Sequence, residues 1–161
     1  MSDITLRTAW RRNDPAQMEE AKAFWTRLNQ VAEHLREQRA NELGVLAYSG
    51  EQLVGVLTAE LAMLPGLRAR FAVCQGAMDP EFRRLGVSMP ALGRLRAALE
   101  AWSLENPEEK VMGIAVVIEA QEYAQMQREP IWTHWGVDLT LIGYTPRNQQ
   151  IRVSWFRHAR L

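Results

Sequence analysis

With 161 residues, 47% of them hydrophobic and 24% charged, the chain has the size and apolar content of one compact globular domain over residues 1–161 and leaves no room for two. Nineteen basic residues balance nineteen acidic ones, which excludes charge-driven disorder and leaves no overall electrostatic case for a nucleic-acid or membrane partner. A single cysteine, Cys74, rules out an internal disulfide and a cysteine-rich zinc site, so stability must come from burial in a reducing, cytoplasmic setting.

The opening MSDITLRTAW lacks the apolar core of a signal peptide, and no window approaches the roughly 18 apolar residues of a membrane helix. Ile4, Leu6 and Thr8 alternate with Thr5 and Arg7 as in a short strand. A helix start follows: Asn13 or Asp14 can cap, Pro15 suits the first helical position, and Gln17 completes a capping-box spacing. Met18, Ala21, Trp25, Leu28, Val31 and Leu35 then recur at three- and four-residue steps, predicting one helix or two in succession to about Arg39. Two apolar runs between Val45 and Met63, parted by Ser49, Gly50 and Glu51, predict a hairpin.

A further strand is expected from Arg70 to Met78, with Gly76 inside it as the mark of a bulge. After Ser88, the positions Met89, Leu92, Leu95, Leu99 and Trp102 define a helix, with Pro90 tolerated in its first turn and Asn106-Pro107 closing it. VMGIAVVI, from Val111 to Ile118, reads as a strand buried on both faces of a parallel sheet, so strand, helix and strand form a βαβ unit. Gln121 to Arg128 is a short helix candidate stopped by Pro130, and Leu139 to Tyr144 with Ile151 to Phe156 make a last antiparallel hairpin.

The segment with most chemical content is MDPEFRRLGVSMPAL, Met78 to Leu92, which joins a strand to a helix. Arg83, Gly86 and the small Ser88 at a helix start aim backbone N–H groups at one point, where the macrodipole also favours an anion. Arg83 or Arg84 can add a charge-assisted contact to a phosphate oxygen. The plainer reading is a helix cap by Ser88 with solvated arginines.

This loop, Arg83 followed by two residues, Gly86, Val87 and Ser88, resembles the acetyl-CoA pyrophosphate loop of the GCN5-related N-acetyltransferase (GNAT) superfamily, [QR]-x-x-G-x-[GA]. The order of elements is similar to that family over nearly the whole chain, and Trp135-Gly136-Val137 stands where the family commonly has an aromatic-flanked glycine. The resemblance implies a GNAT-like α/β fold: a mixed, largely antiparallel twisted sheet of six to seven strands, helices on both faces, and a central βαβ unit whose parallel strands splay. It also implies acetyl-CoA, or another acyl-CoA, as co-substrate. Its pyrophosphate would lie on the N–H groups of Leu85, Gly86, Val87 and Ser88 beside Arg83 and Arg84, with the pantetheine arm against the backbone of Ala77 and Met78. A donor there would stabilise the oxyanion of acyl transfer.

The acceptor implied is a primary amine of a small molecule, a protein or a peptide, attacked directly. Glu60 and Glu119 are the candidate bases, with a water relay as the alternative, and each also reads as an ordinary surface or cap-region acid. The family often carries a tyrosine four residues before the late glycine as acid; here that place holds Trp132, whose indole N–H is no practical donor to a thiolate, which leaves Tyr123 or Tyr144. The same departure supports an alternative, a GNAT-like acyl-CoA-binding regulatory or scaffold module without catalysis; a third is an unrelated α/β domain with a helix cap.

Other features carry less. Cys74 has no nearby histidine and reads as structural, and His34, His134 and His158 lack ligand spacing, so no metal is expected. Trp132 and Trp135 could wall an amine site or simply pack. Six acids between Glu100 and Glu122 and four arginines after Asp138 form opposed patches that would suit a homodimer or a cationic acceptor, or stay solvated.

Overall fold

The computed structural model describes residues 3–118, 128–133 and 136–161, without the side chains of residues 84 and 85. In chain order the elements are β1 (Ile4–Thr8), α1 (Pro15–Leu28), α2 (Arg36–Ala40), β2 (Leu43–Ser49), β3 (Gln52–Leu64), β4 (Ala69–Met78), α3 (Ser88–Glu105), β5 (Val111–Ile118), β6 (Ile131–Trp132), β7 (Leu139–Tyr144) and β8 (Gln150–Trp155), with short 3-10 turns at Glu33–Leu35, Pro80–Leu85 and Pro107–Glu109. The strands form one sheet in the order β1-β2-β3-β4-β5-β8-β7-β6. β4 and β5 run parallel; the β1–β2, β2–β3, β5–β8, β7–β8 and β6–β7 pairs are antiparallel. This is the mixed, largely antiparallel sheet expected, with the two-residue β6 making an eighth strand. Residues 121–127 of the helix expected before Pro130 lie outside the described residues, and Arg128 stands in a turn.

By internal contacts the chain divides into two compact units, Met1–Ala59 with Gln75–Ala98, and Glu60–Cys74 with Leu99–Leu161. In the first, Asp14 caps α1 by accepting from the Ala16 N–H at 2.9 Å, and Pro15 occupies the first turn, where its missing N–H costs nothing. The long apolar stripe breaks into two helices because Asn29 closes α1 in the left-handed conformation. Ala21, Phe24, Trp25 and Ala40 pack on Leu43, Leu46, Tyr48, Leu53 and Val56 of the sheet. The intervening Ala47, with Val54 and Met78, packs on Val87 at the head of α3, and a Cβ on Gly44 would press on Leu95. Along β2, whose register shifts between Leu43 and Val45, Leu46 and Tyr48 therefore face α1 and α2 while Gly44 and Ala47 face α3.

In the second unit Ala69, Phe71, Ala115 and Val153 form the core, with Phe71 meeting Trp155 edge-on at 5.0 Å. Gly113 is required there, since any Cβ would fall on the Ser154 carbonyl. Arg152 is wholly buried. Its guanidinium lies 4.0 Å over the Trp132 ring and donates to the carbonyls of Glu129 (2.7 Å), Leu139 (3.1 Å) and Pro130 (3.3 Å). Two members of the expected charge patches are used internally: Glu109 pairs with Arg70 at 2.7 Å, and Glu100 accepts the Arg157 N–H at 2.9 Å. Among the described residues no helix is long and apolar enough to cross a membrane.

Candidate functional site

The parallel register of β4 on β5 runs from Arg70 opposite Val111 to Cys74 opposite Val116. Among the described residues the register ends at that Cys74–Val116 pair. The irregularity in this pairing lies between Arg70 and Ala72. Gly76 does not have a positive φ, and a Cβ there would sit 3.6 Å from Leu57, a normal contact.

From Met78 the chain enters the loop through Asp79, a buried carboxylate. Asp79 caps the Pro80–Leu85 turn by accepting from the Glu81 N–H at 3.0 Å, and its own carbonyl accepts from Phe82 at 2.9 Å. Gly86 closes the turn in the left-handed region, φ 67° and ψ 30°, where a side chain is disfavoured. It is exposed, and nothing lies within 4 Å of where a Cβ would project. Val87 is anchored in the core, and its carbonyl accepts from Ala91 at 3.0 Å, which starts α3. The first turn of α3 holds Ser88 and Met89, whose N–H groups have no acceptor within the helix, and it carries no acid to compete with an anion.

Ala77, Met78, Arg83, Gly86, Val87 and Ser88 thus lie along one continuous stretch of the first unit, with Arg83 exposed and Ser88 half-buried. The backbones of Arg84 and Leu85 belong to the turn. The Met78 carbonyl accepts from Gln30 Nε2 at 3.4 Å. Glu60 and Tyr144 belong to the second unit, Glu60 exposed on β3 and Tyr144 56% exposed at the end of β7. Glu119, Tyr123, His134 and Trp135 lie outside the described residues. Trp132 is a core ring beneath Arg152 and cannot wall an amine site.

Cys74 is buried, and desolvation pushes its thiol up to about 12, which makes it inert. Among the described residues no group of three or more His, Cys, Asp or Glu could hold a metal ion. Sequence reasoning missed the role of Asp79 and its partner Arg27, whose guanidinium donates twice to Asp79 Oδ2, at 3.2 and 3.3 Å. The Asp79-Pro80 dipeptide signals a cap; nothing local signals the arginine.

No family model matches the sequence, and no curated protein matches it. Solved structures do. The ribosomal-protein-S18-alanine N-acetyltransferase of Escherichia coli superposes over 98% of this chain and 97% of its own, with TM-score 0.61 and 13% identity. The ribosomal-protein-S5-alanine acetyltransferase of Vibrio fischeri covers 100% and 97%, with TM-score 0.62 and 8% identity. The chain has the GNAT fold. NAA60 of Arabidopsis thaliana, solved in complex with acetyl-CoA, covers 95% and 98%, with TM-score 0.56 and 10% identity. The GNAT fold accounts for the parallel β4–β5 pair inside a mostly antiparallel sheet, and for a strand-to-helix loop at the end of β4.

Proposed function

We propose that the chain is an acyl-CoA-dependent N-acyltransferase that moves acetyl from acetyl-CoA to a primary amine of a small molecule or peptide by direct attack. The observation that carries this reading is the loop from Asp79 to Ser88: a left-handed, exposed Gly86 with open space above it, set at the head of α3 directly after β4. Such a backbone suits a pyrophosphate, because a glycine lets phosphate oxygens reach the N–H groups while the helix dipole favours their charge.

In this reading the N–H groups of Gly86, Val87 and Ser88 hold the pyrophosphate, and Arg83, with Arg84, supplies the cationic fork. Leu85 contributes backbone only, and backbone groups of Ala77 together with the Met78 N–H receive the pantetheine arm. Acetyl-CoA supplies the activated acyl group. The chain's own acid–base groups are Glu60 or Glu119 as base, directly or through water, and Tyr123 or Tyr144 as acid. Calorimetry with acetyl-CoA tests the binding, and thiol release over a panel of amines and peptides tests the transfer. No binding at millimolar acetyl-CoA would overturn the reading.

One observation favours a second reading, an acyl-CoA-binding module without catalysis. Trp132, at the place where the family often has its tyrosine, is wholly buried and covered by Arg152, so no acid operates from that position. Tight acetyl-CoA binding with no thiol release above background for any amine would select this second reading.

A further inference from the structure

We infer that the C-terminal end of α1 sets the geometry of the candidate cofactor loop, with Arg27 and Gln30 as positioning residues that act through Asp79 and the Met78 carbonyl on the site for the acyl-CoA pyrophosphate. The inference rests on the acyl-CoA reading above. Every polar group of Asp79 is engaged. Its N–H donates to Val54 O at 2.8 Å, its carbonyl accepts from Phe82, Oδ1 accepts from Glu81, and Oδ2 takes both Arg27 contacts. A side chain only 6% exposed would hold a bare carboxylate at high cost, and Arg27, itself 49% exposed, removes that cost. The peptide between Met78 and Asp79 is gripped at both ends, its carbonyl by Gln30 and its N–H by Val54. The Pro80–Leu85 turn follows directly from this peptide and is tied to it by the Asp79 cap, so the orientation of the peptide sets the direction in which the chain leaves toward Gly86 and α3.

The gripping segment is itself built against local preference. Gln30 stands between Asn29 at φ 51° and Val31 at φ 59°, and a β-branched residue at positive φ is strained. Arg36 holds that conformation by donating from Nε to Val31 O at 3.0 Å. The amide that this conformation delivers to Met78 leaves Gln30 Oε1 buried without a hydrogen-bond partner among the described residues. Strain and an unsatisfied oxygen weaken the fold locally; what they secure is the Gln30 contact to the end of β4. None of these features lies in the loop motif, and all of them converge on the two residues where the loop begins.

The test uses Asp79→Asn, which keeps the cap acceptor and the shape while removing the charge, and Arg27→Met, which keeps an apolar stem beside Phe24. Acetyl-CoA affinity is measured by calorimetry well below each variant's melting midpoint, for the singles, the double and Arg27→Lys. Each single is expected to weaken acetyl-CoA about tenfold, the double no more than either single, and Arg27→Lys to recover most of the loss. Affinity for S-acetylpantetheine, which lacks the pyrophosphate, should change less than about twofold. Unchanged acetyl-CoA affinity in both singles, additive losses in the double, or equal losses for both ligands would overturn the inference while the acyl-CoA reading stands. A wild-type chain that binds no acetyl-CoA overturns both.

Discussion

Replacing Gly86 with alanine separates the cost of a backbone conformation from the cost of a lost ligand contact, because the molecule contains a matched control. Gly86 and Gly50 have φ of 67° and 62°, and at neither does an added Cβ meet an atom within 4 Å. Each alanine therefore incurs only the left-handed penalty of about 1–2 kcal/mol. For a chain of this size that lowers the melting midpoint by roughly 2–8 °C. Gly50 lies in the β2–β3 hairpin turn, away from the loop sequence, so Gly50→Ala should leave acetyl-CoA binding intact. At Gly86 the new methyl fills the space a phosphate would enter. Losing two charge-assisted N–H contacts at about 1.5–3 kcal/mol each weakens acetyl-CoA by roughly a hundredfold or more. Thermal melts and calorimetry on the two variants give both numbers. Matching melting shifts with a loss of affinity only in Gly86→Ala is the expected result. Acetyl-CoA affinity that falls equally in both, or in neither, refutes the assignment of Gly86 to the ligand.

Three further outcomes follow from packing and ionisation. Gly113→Ala should destabilise by about 1–3 kcal/mol or more, because its methyl must displace the Ser154 carbonyl on β8. Gly76→Ala should stay within about 0.5 kcal/mol of wild type, since its methyl reaches Leu57 at an ordinary 3.6 Å; urea midpoints check the pair. Arg152→Lys should cost about 2–4 kcal/mol in the same assay, because an ammonium lacks the planar fork that meets the carbonyls of Glu129, Pro130 and Leu139 from two nitrogens while stacking on Trp132. The fold should also weaken in alkali. Burial raises the Cys74 thiol from 9.0 to about 12, so between those values the unfolded thiol ionises while the folded one does not. Stability is fully present below about pH 9 and falls by about 1.4 kcal/mol per unit above it. Tyr48, raised first by burial and then by its hydrogen bond to Glu20, adds to the decline at higher pH. Urea midpoints from pH 8 upward should show a slope that Cys74→Ala flattens between about pH 9 and 10.

What the chain's own local chemistry determined is the succession of elements and the place of the loop. Asp14-Pro15 marks the start of α1, Gly50 the hairpin, the β-branched run at Val111 the buried strand, and Gly86 ahead of Ser88 the entry to α3, because caps, turns and strand preferences act within a few residues. The tertiary structure alone decided what those elements meet. Arg27 finds Asp79 across 52 residues, Gln30 donates to the Met78 carbonyl, Arg152 covers Trp132, and β4 pairs with β5 in parallel. Gly76 and Gly113 look alike within their strands; only the approach of β8 makes the second indispensable. The physical reason is one of range: a local signal reports a residue's conformational preference, whereas a buried charge, a close backbone contact or a broken register is set by whatever distant segment packs against it.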